Sequence, residues 1–211
     1  MSAITHHTSD ALLAAYAAGN LPHAFAVVVA SHISLCAECR AGLQAHQTVG
    51  GALLEDVETV DVSPQLKGDI LALLDAPFTP EPVYDRSGVY PGPVMQALKG
   101  RPPRWKTLGM GVRQDILSED DNGSVRLLYI PSGQAVPDHG HNGMELTLVL
   151  QGSFSDETGR FGVGDLEIAD EELEHTPVAD PGDACICLAA TDARLRFNAL
   201  MPRLLQPIFR I

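Results

Sequence analysis

The chain has 211 residues, 45% of them apolar and 19% charged, a composition that fits a soluble globular protein and excludes a fibrous or disordered one. Its apolar runs, such as Ala24–Ala30, fall far short of the ~20 residues that span a membrane, and Met1–His7 lacks the basic start and apolar stretch of a secretory signal, so a cytoplasmic location away from membranes is expected. Fourteen Lys and Arg against 27 Asp and Glu leave a net charge of −13, which repels phosphate backbones, argues against direct nucleic-acid binding and favours a basic partner protein.

Residues 1–76 read as four helices. Ser9-Asp10 caps the first, which carries Leu12, Leu13, Tyr16 and Ala17 and stops at Gly19. The second begins near Asn20-Leu21-Pro22 and lines Phe25, Val28, Val29, His32, Ile33 and Cys36 along one stripe. The third starts within Cys36-x-x-Cys39 and runs through Leu43 to roughly Leu54. An acidic break over residues 55–61 follows, and Ser63-Pro64 opens a fourth helix with Leu66, Ile70, Leu73 and Leu74 on one face.

Prolines 77, 80, 82, 91 and 93, interleaved with Gly88 and Gly92, make residues 77–104 read as a linker with neither helix nor strand. Residues 105–200 alternate with period two. Val125–Ile130, Glu145–Leu150, Ala184–Leu188 and Arg194–Phe197 are expected strands, separated by turns at 131–133, 151–152, 156–159 and 180–183, a pattern that suggests a sandwich or jelly roll.

Two groups of residues carry metal chemistry. In His32-x3-Cys36-x2-Cys39, a helix puts His32 and Cys36 on one face and the Cys-x-x-Cys turn returns Cys39 to the same point. Two thiolates and an imidazole suit tetrahedral Zn2+, with His6 or His7 available as a fourth ligand. A single ion would also hold together a helical segment whose apolar core is thin. In the β part, His139-x-His141-x3-Glu145 and the downstream His175 offer three imidazoles and a carboxylate, a set suited to Zn2+ or another divalent transition metal. Cys185 and Cys187 alternate on one strand face and read as small buried residues.

Both groups resemble known families. His139-x-His141-x3-Glu145-x6-Gly152 resembles the first cupin motif, and His175 corresponds to the histidine of the second, although the usual Pro-x-Gly-x-x-His is absent. His7, then Leu12–Gly19, then His32-x3-Cys36-x2-Cys39 resembles the zinc-binding anti-sigma domain, in which the histidine ahead of the first helix is a ligand; here that is His7. The order of the two resembles the ChrR anti-sigma factors over nearly the whole chain.

That resemblance implies an α+β multidomain protein, with a small zinc-bound four-helix domain at residues 1–76 and a metal-binding cupin β-sandwich or jelly roll at 105–200. It implies one-to-one sequestration of an extracytoplasmic-function sigma factor away from RNA polymerase and promoter, so that transcription is negatively regulated. The cupin domain would serve the response to oxidative stress, singlet oxygen in this family. Inhibition by sequestration needs no catalysis. Leu12, Tyr16, Leu66, Ile70, Leu73 and Leu74 are the apolar anchors expected to meet the sigma factor. The alternative is a metal-dependent cupin enzyme, an oxygenase or isomerase, with a helical regulatory domain.

Overall fold

The fold is given by a computed structural model in which residues 3–74, 77, 80–136, 139–140, 143–171, 173–193 and 196–197 are described. Among the described residues the helices of the first half are α1 (Asp10–Ala17), α2 (His23–Leu35), α3 (Ala37–Glu55), α4 (Leu66–Leu73) and α5 (Gly92–Ala97). Ser9 caps α1 by accepting from the Leu12 amide at 3.3 Å. α2 and α3 are parted by a single extended residue, Cys36 (φ −101°, ψ 114°). That one-residue break turns the chain sharply and lets Cys36 act as the N-cap of α3.

The helices differ in what they bury. α2 is almost wholly interior, with Phe25, Val28, Val29 and His32 closed to solvent. α3 buries only Cys39 and Leu43, near its start. α4 buries nothing. Leu12 is buried with Leu13 in the core where α1 meets α3, so it holds the helices together and has no surface left for the partner contact expected of it. Tyr16 is half-buried against the same core.

The proline-rich stretch differs from its expected linker character. Pro91 caps α5 and Pro93 sits in its first turn, where a missing amide hydrogen costs the helix nothing. Val94, Met95 and Leu98 are then buried in the same core as α2. Prolines break a helix interior but start a helix well, and composition alone does not separate the two cases.

Among the described residues the strands that follow are β1 (Lys106–Gly109), β2 (Val112–Asp120), β3 (Gly123–Ile130), β4 (His139–Gly140), β5 (Glu145–Gln151), β6 (Ser153–Ser155), β7 (Arg160–Gly162), β8 (Leu166–Ala169), β9 (Glu174–His175), β10 (Val178–Ala179), β11 (Cys185–Thr191) and β12 (Arg196–Phe197). Of the expected strand over 194–197, Arg194 and Leu195 lie outside the described residues. The main sheet runs β1-β2-β3-β11-β5-β8, and two small sheets, β10-β6-β7 and β12-β4-β9, complete a β-sandwich with antiparallel pairing throughout.

Period two sorts the main sheet into two cores. Ile186, Leu188 and Ala190 of β11 join Leu146 and Leu148 of β5 and Val125 and Leu127 of β3 on the face against α2. Cys185 and Cys187 point the other way, into the sandwich with Val149, Phe154 and Phe161. The helical part therefore packs directly on the outer face of the β part. Gly152, the last residue of the first cupin-like motif, has φ +68°, and a Cβ there would meet the Ala184 carbonyl at 2.8 Å. Only glycine fits that β5–β6 turn.

Candidate metal centres

The first centre assembles at the break between α2 and α3. His32 comes from the last turn of α2, Cys36 from the break, Cys39 from the first turn of α3, and His7 from the segment that precedes α1. His32 Nε2 stands 3.2 Å from Cys39 Sγ, and His7 Nδ1 stands 3.3 Å from Cys36 Sγ and 3.6 Å from Cys39 Sγ. The four ligand atoms all lie within 4.8 Å of one another. Zn–S bonds of ~2.3 Å and Zn–N bonds of ~2.0 Å give a tetrahedron with edges of roughly 3.4–3.8 Å. The observed spacings are close to those edges, so the donor set fits one four-coordinate ion. His6, the other candidate for the fourth position, turns away: its ring packs at 4.4 Å on Phe161.

Each imidazole is held by its second nitrogen. The Gly164 carbonyl can only accept, so the 2.9 Å contact with His32 requires His32 Nδ1–H to donate and leaves the Nε2 lone pair facing the cluster. His7 Nε2 lies 3.4 Å from Glu38 Oε2 at the solvent side. Burial lowers the pKa of His32, which keeps it neutral and able to ligate. Burial also pushes the Cys39 thiol up to about 11, against an opposing hydrogen bond from the Thr8 backbone. Without an ion that thiol stays protonated, so binding a cation must release a proton.

Of the second expected ligand group, His139, Glu145 and His175 fall on strands of the β part. His139 on β4 pairs in register with His175 on β9, and Glu145 opens β5 opposite Ala169 and Thr191. His141 lies outside the described residues, and of His139 only the backbone is described. His175 is buried, with Nδ1 2.7 Å from Asp156 Oδ2 and 3.3 Å from Glu167 Oε1. Asp156, Glu167 and His175 could themselves hold a cation, each offering a ligand atom within 4.8 Å of the others. Burial works against a charged His175, yet Glu167 and Asp156 raise it to about 9. Burial pushes Glu167 up to about 7, opposed by His175. Asp156 is held well below the usual carboxylate range: burial opposes this, but hydrogen bonds from Glu167, His175 and Thr158 outweigh it.

The comparisons with known proteins agree with both halves. Residues 97–194 match the family described as the ChrR Cupin-like domain. The anti-sigma-E factor ChrR of Cereibacter sphaeroides is 56% identical over 211 residues, 99% of each chain. The chain belongs to the ChrR family of anti-sigma factors. In structure it is similar to Rhodobacter sphaeroides ChrR in complex with SigE, with a TM-score of 0.81 and 55% identity over 90% of this chain and 100% of that one. Among the described residues no single helix is long and apolar enough to cross a membrane.

Several residues around these centres carry no signal in the sequence. Asp156 reads only as the start of a turn, which it also caps by accepting from the Thr158 and Gly159 amides. Glu167 lies outside every strand expected from the sequence. Neither spacing nor periodicity connects them to His175. Cys185 and Cys187 stand with their sulfurs 3.4 Å apart, buried among apolar side chains.

Proposed function

We propose that the chain is an anti-sigma factor that sequesters one extracytoplasmic-function sigma factor. Residues 1–76 do the binding, and residues 105–200 form the cupin part that serves the stress response. The observation that carries this reading is α4. Its Ile70 is 51% exposed and Leu73 71%, Leu74 at its C-cap is 74% exposed, and with Leu66 they make an apolar face that is buried against nothing among the described residues. Leu53, Leu54, Val57, Val60 and Val62 extend the exposed apolar surface back to the end of α3. Apolar surface on that scale marks a protein interface. Tyr16 sits at the margin of the helical part as a further contact. Two Lys and Arg against eight Asp and Glu in residues 1–75 would speed association with a basic, DNA-binding partner.

Zn2+ at His7, His32, Cys36 and Cys39 ties the segment ahead of α1 to the α2–α3 junction, and so sets the shape from which α4 projects. His139, His141, Glu145 and His175 hold Zn2+ or another divalent transition metal in the cupin part, with Asp156 and Glu167 fixing the His175 ring through Nδ1. On the resemblance to the ChrR anti-sigma factors, the cupin part is read as a sensor for oxidative stress, singlet oxygen included, acting in the cytoplasm. Sequestration itself needs no turnover, and no enzymatic role is assigned.

The test is co-expression with the sigma factor of the same operon. The wild type is expected to co-purify one-to-one and silence transcription in vitro, and the Cys36→Ala/Cys39→Ala variant to do neither. His141→Ala or Glu145→Ala is expected to retain sigma binding while blunting release under stress. Normal inhibition by the double cysteine variant contradicts the role given to the metal. Oxygen consumption by the purified chain with a small substrate would favour the cupin enzyme instead.

A further inference from the structure

The three-residue turn that joins β7 to β8 (residues 163–165) touches the helical metal centre at two places. The Gly164 carbonyl accepts from His32 Nδ1 at 2.9 Å and fixes that ring. One residue on, Asp165 Oδ1 accepts from the Thr5 amide at 2.7 Å and the His6 amide at 2.9 Å, immediately ahead of His7. The Leu166 amide donates to the His6 carbonyl at 3.1 Å, and the His6 ring rests on Phe161. Gly164 has φ +94°, and a Cβ there would lie 2.6 Å from Ile4, so the strap of residues 4–6 is seated directly on the turn. Asp165 is buried and is itself fixed by the Gly162 amide, which donates to Oδ2 at 2.8 Å. Two of the four ligands are thus positioned from the other half of the molecule. β8 continues from this turn to Glu167, which contacts His175 of the second centre.

We infer that Asp165 and the Gly164 carbonyl are positioning residues for the helical metal centre, so that the cupin part sets how firmly His7 and His32 hold their ion. This rests on the zinc reading proposed above. Second-sphere hydrogen bonds orient ligands, and losing one commonly weakens metal affinity by ~10–100-fold. Here the second sphere comes from a separate part of the fold, and a displacement of β8 would reach the ligands without touching them.

The experiment uses the full-length, zinc-loaded protein and follows zinc release to a chromogenic chelator. The phase absent from Cys36→Ala/Cys39→Ala identifies the helical centre. Asp165→Ala is expected to speed that phase by about tenfold and to raise amide exchange over Thr5–Thr8, with the melting of the β part retained. Asp165→Asn, which can keep an oxygen facing the Thr5 and His6 amides but loses the bond from the Gly162 amide, is expected to recover part of the wild-type rate. Ile4→Ala loosens the same seat from the helical side without altering the β part, and is expected to speed release as well. Wild-type release from Asp165→Ala overturns the inference; if that variant fails to fold, Ile4→Ala decides by the same criterion. A wild type without zinc in this phase overturns the zinc reading and the inference together, whereas a loaded wild type with unaffected variants overturns the inference alone.

Discussion

α2 and α4 are both rich in apolar residues, and the fold treats them in opposite ways. α2 is enclosed by α1, α3, α5 and the main sheet, with Val28 and Val29 fully buried. α4 stands with Ile70, Leu71, Leu73 and Leu74 in solvent. The difference lies in the chain on either side. α2 is joined to α3 by one residue and tied by the His/Cys cluster, so it has no freedom to leave. α4 follows an exposed acidic stretch and can present its face to another protein. Apolar periodicity alone says that a helix will bury a face, without saying which molecule supplies the other side.

The contrast can be broken most forcefully at α2. Val28→Asp puts an unpaired charge between the helices and the sheet, with an expected loss of ~4 kcal/mol or more. A thermal melt checks it, and a folded, wild-type-like melt would mean that α2 is not the shared core. Met95→Ala probes α5 in the same way. A cavity against α2 is expected to lower stability by roughly 2–3 kcal/mol, whereas a true linker residue would change nothing.

At α4 the signs reverse. Leu73→Asp is expected to leave the melt within ~0.5 kcal/mol of wild type and to weaken sigma binding by about 2 kcal/mol or more, read by calorimetry. The smallest effect is expected at Asp180, which accepts from Ser153 Oγ, Ser155 Oγ and Arg160 Nε at 2.6, 2.9 and 2.8 Å. Burial opposes ionisation there, but these three donors lower its pKa. A depressed native pKa contributes stability above the unfolded value of ~3.9, lost as pH falls through the native one. Asp180→Asn should therefore be slightly less stable near neutrality and show a shallower loss of stability in acid, measured by denaturation across pH.

Much of this was legible in the sequence where the signal is local. The His32, Cys36 and Cys39 spacing depends on one helical turn and one break. The apolar stripe of α2 and the period-two alternation of β5 and β11 are equally short-range. β11 lies at the centre of the main sheet and is buried on both faces, so the expected strand Ala184–Leu188 is a continuous apolar run whose alternate residues enter two cores. What stayed hidden depends on distance along the chain. Thr5 meets Asp165 across 160 residues, and His32 meets Gly164 across 132. α5 was concealed by its own prolines, and β1 and β2 by mixed polar and apolar residues that lack a clean alternation. Leu12 and Leu73 look alike in sequence; only the packing of α1 on α3 makes the first interior and leaves the second open.

Amide exchange on the full chain, with and without its sigma factor, tests the account most directly. The amides of α4 are expected to exchange rapidly in the free protein and to become protected in the complex, while those of α2 stay protected in both. A stoichiometric complex in which α4 continues to exchange as it does in the free chain would contradict the assignment of its open face to the sigma factor.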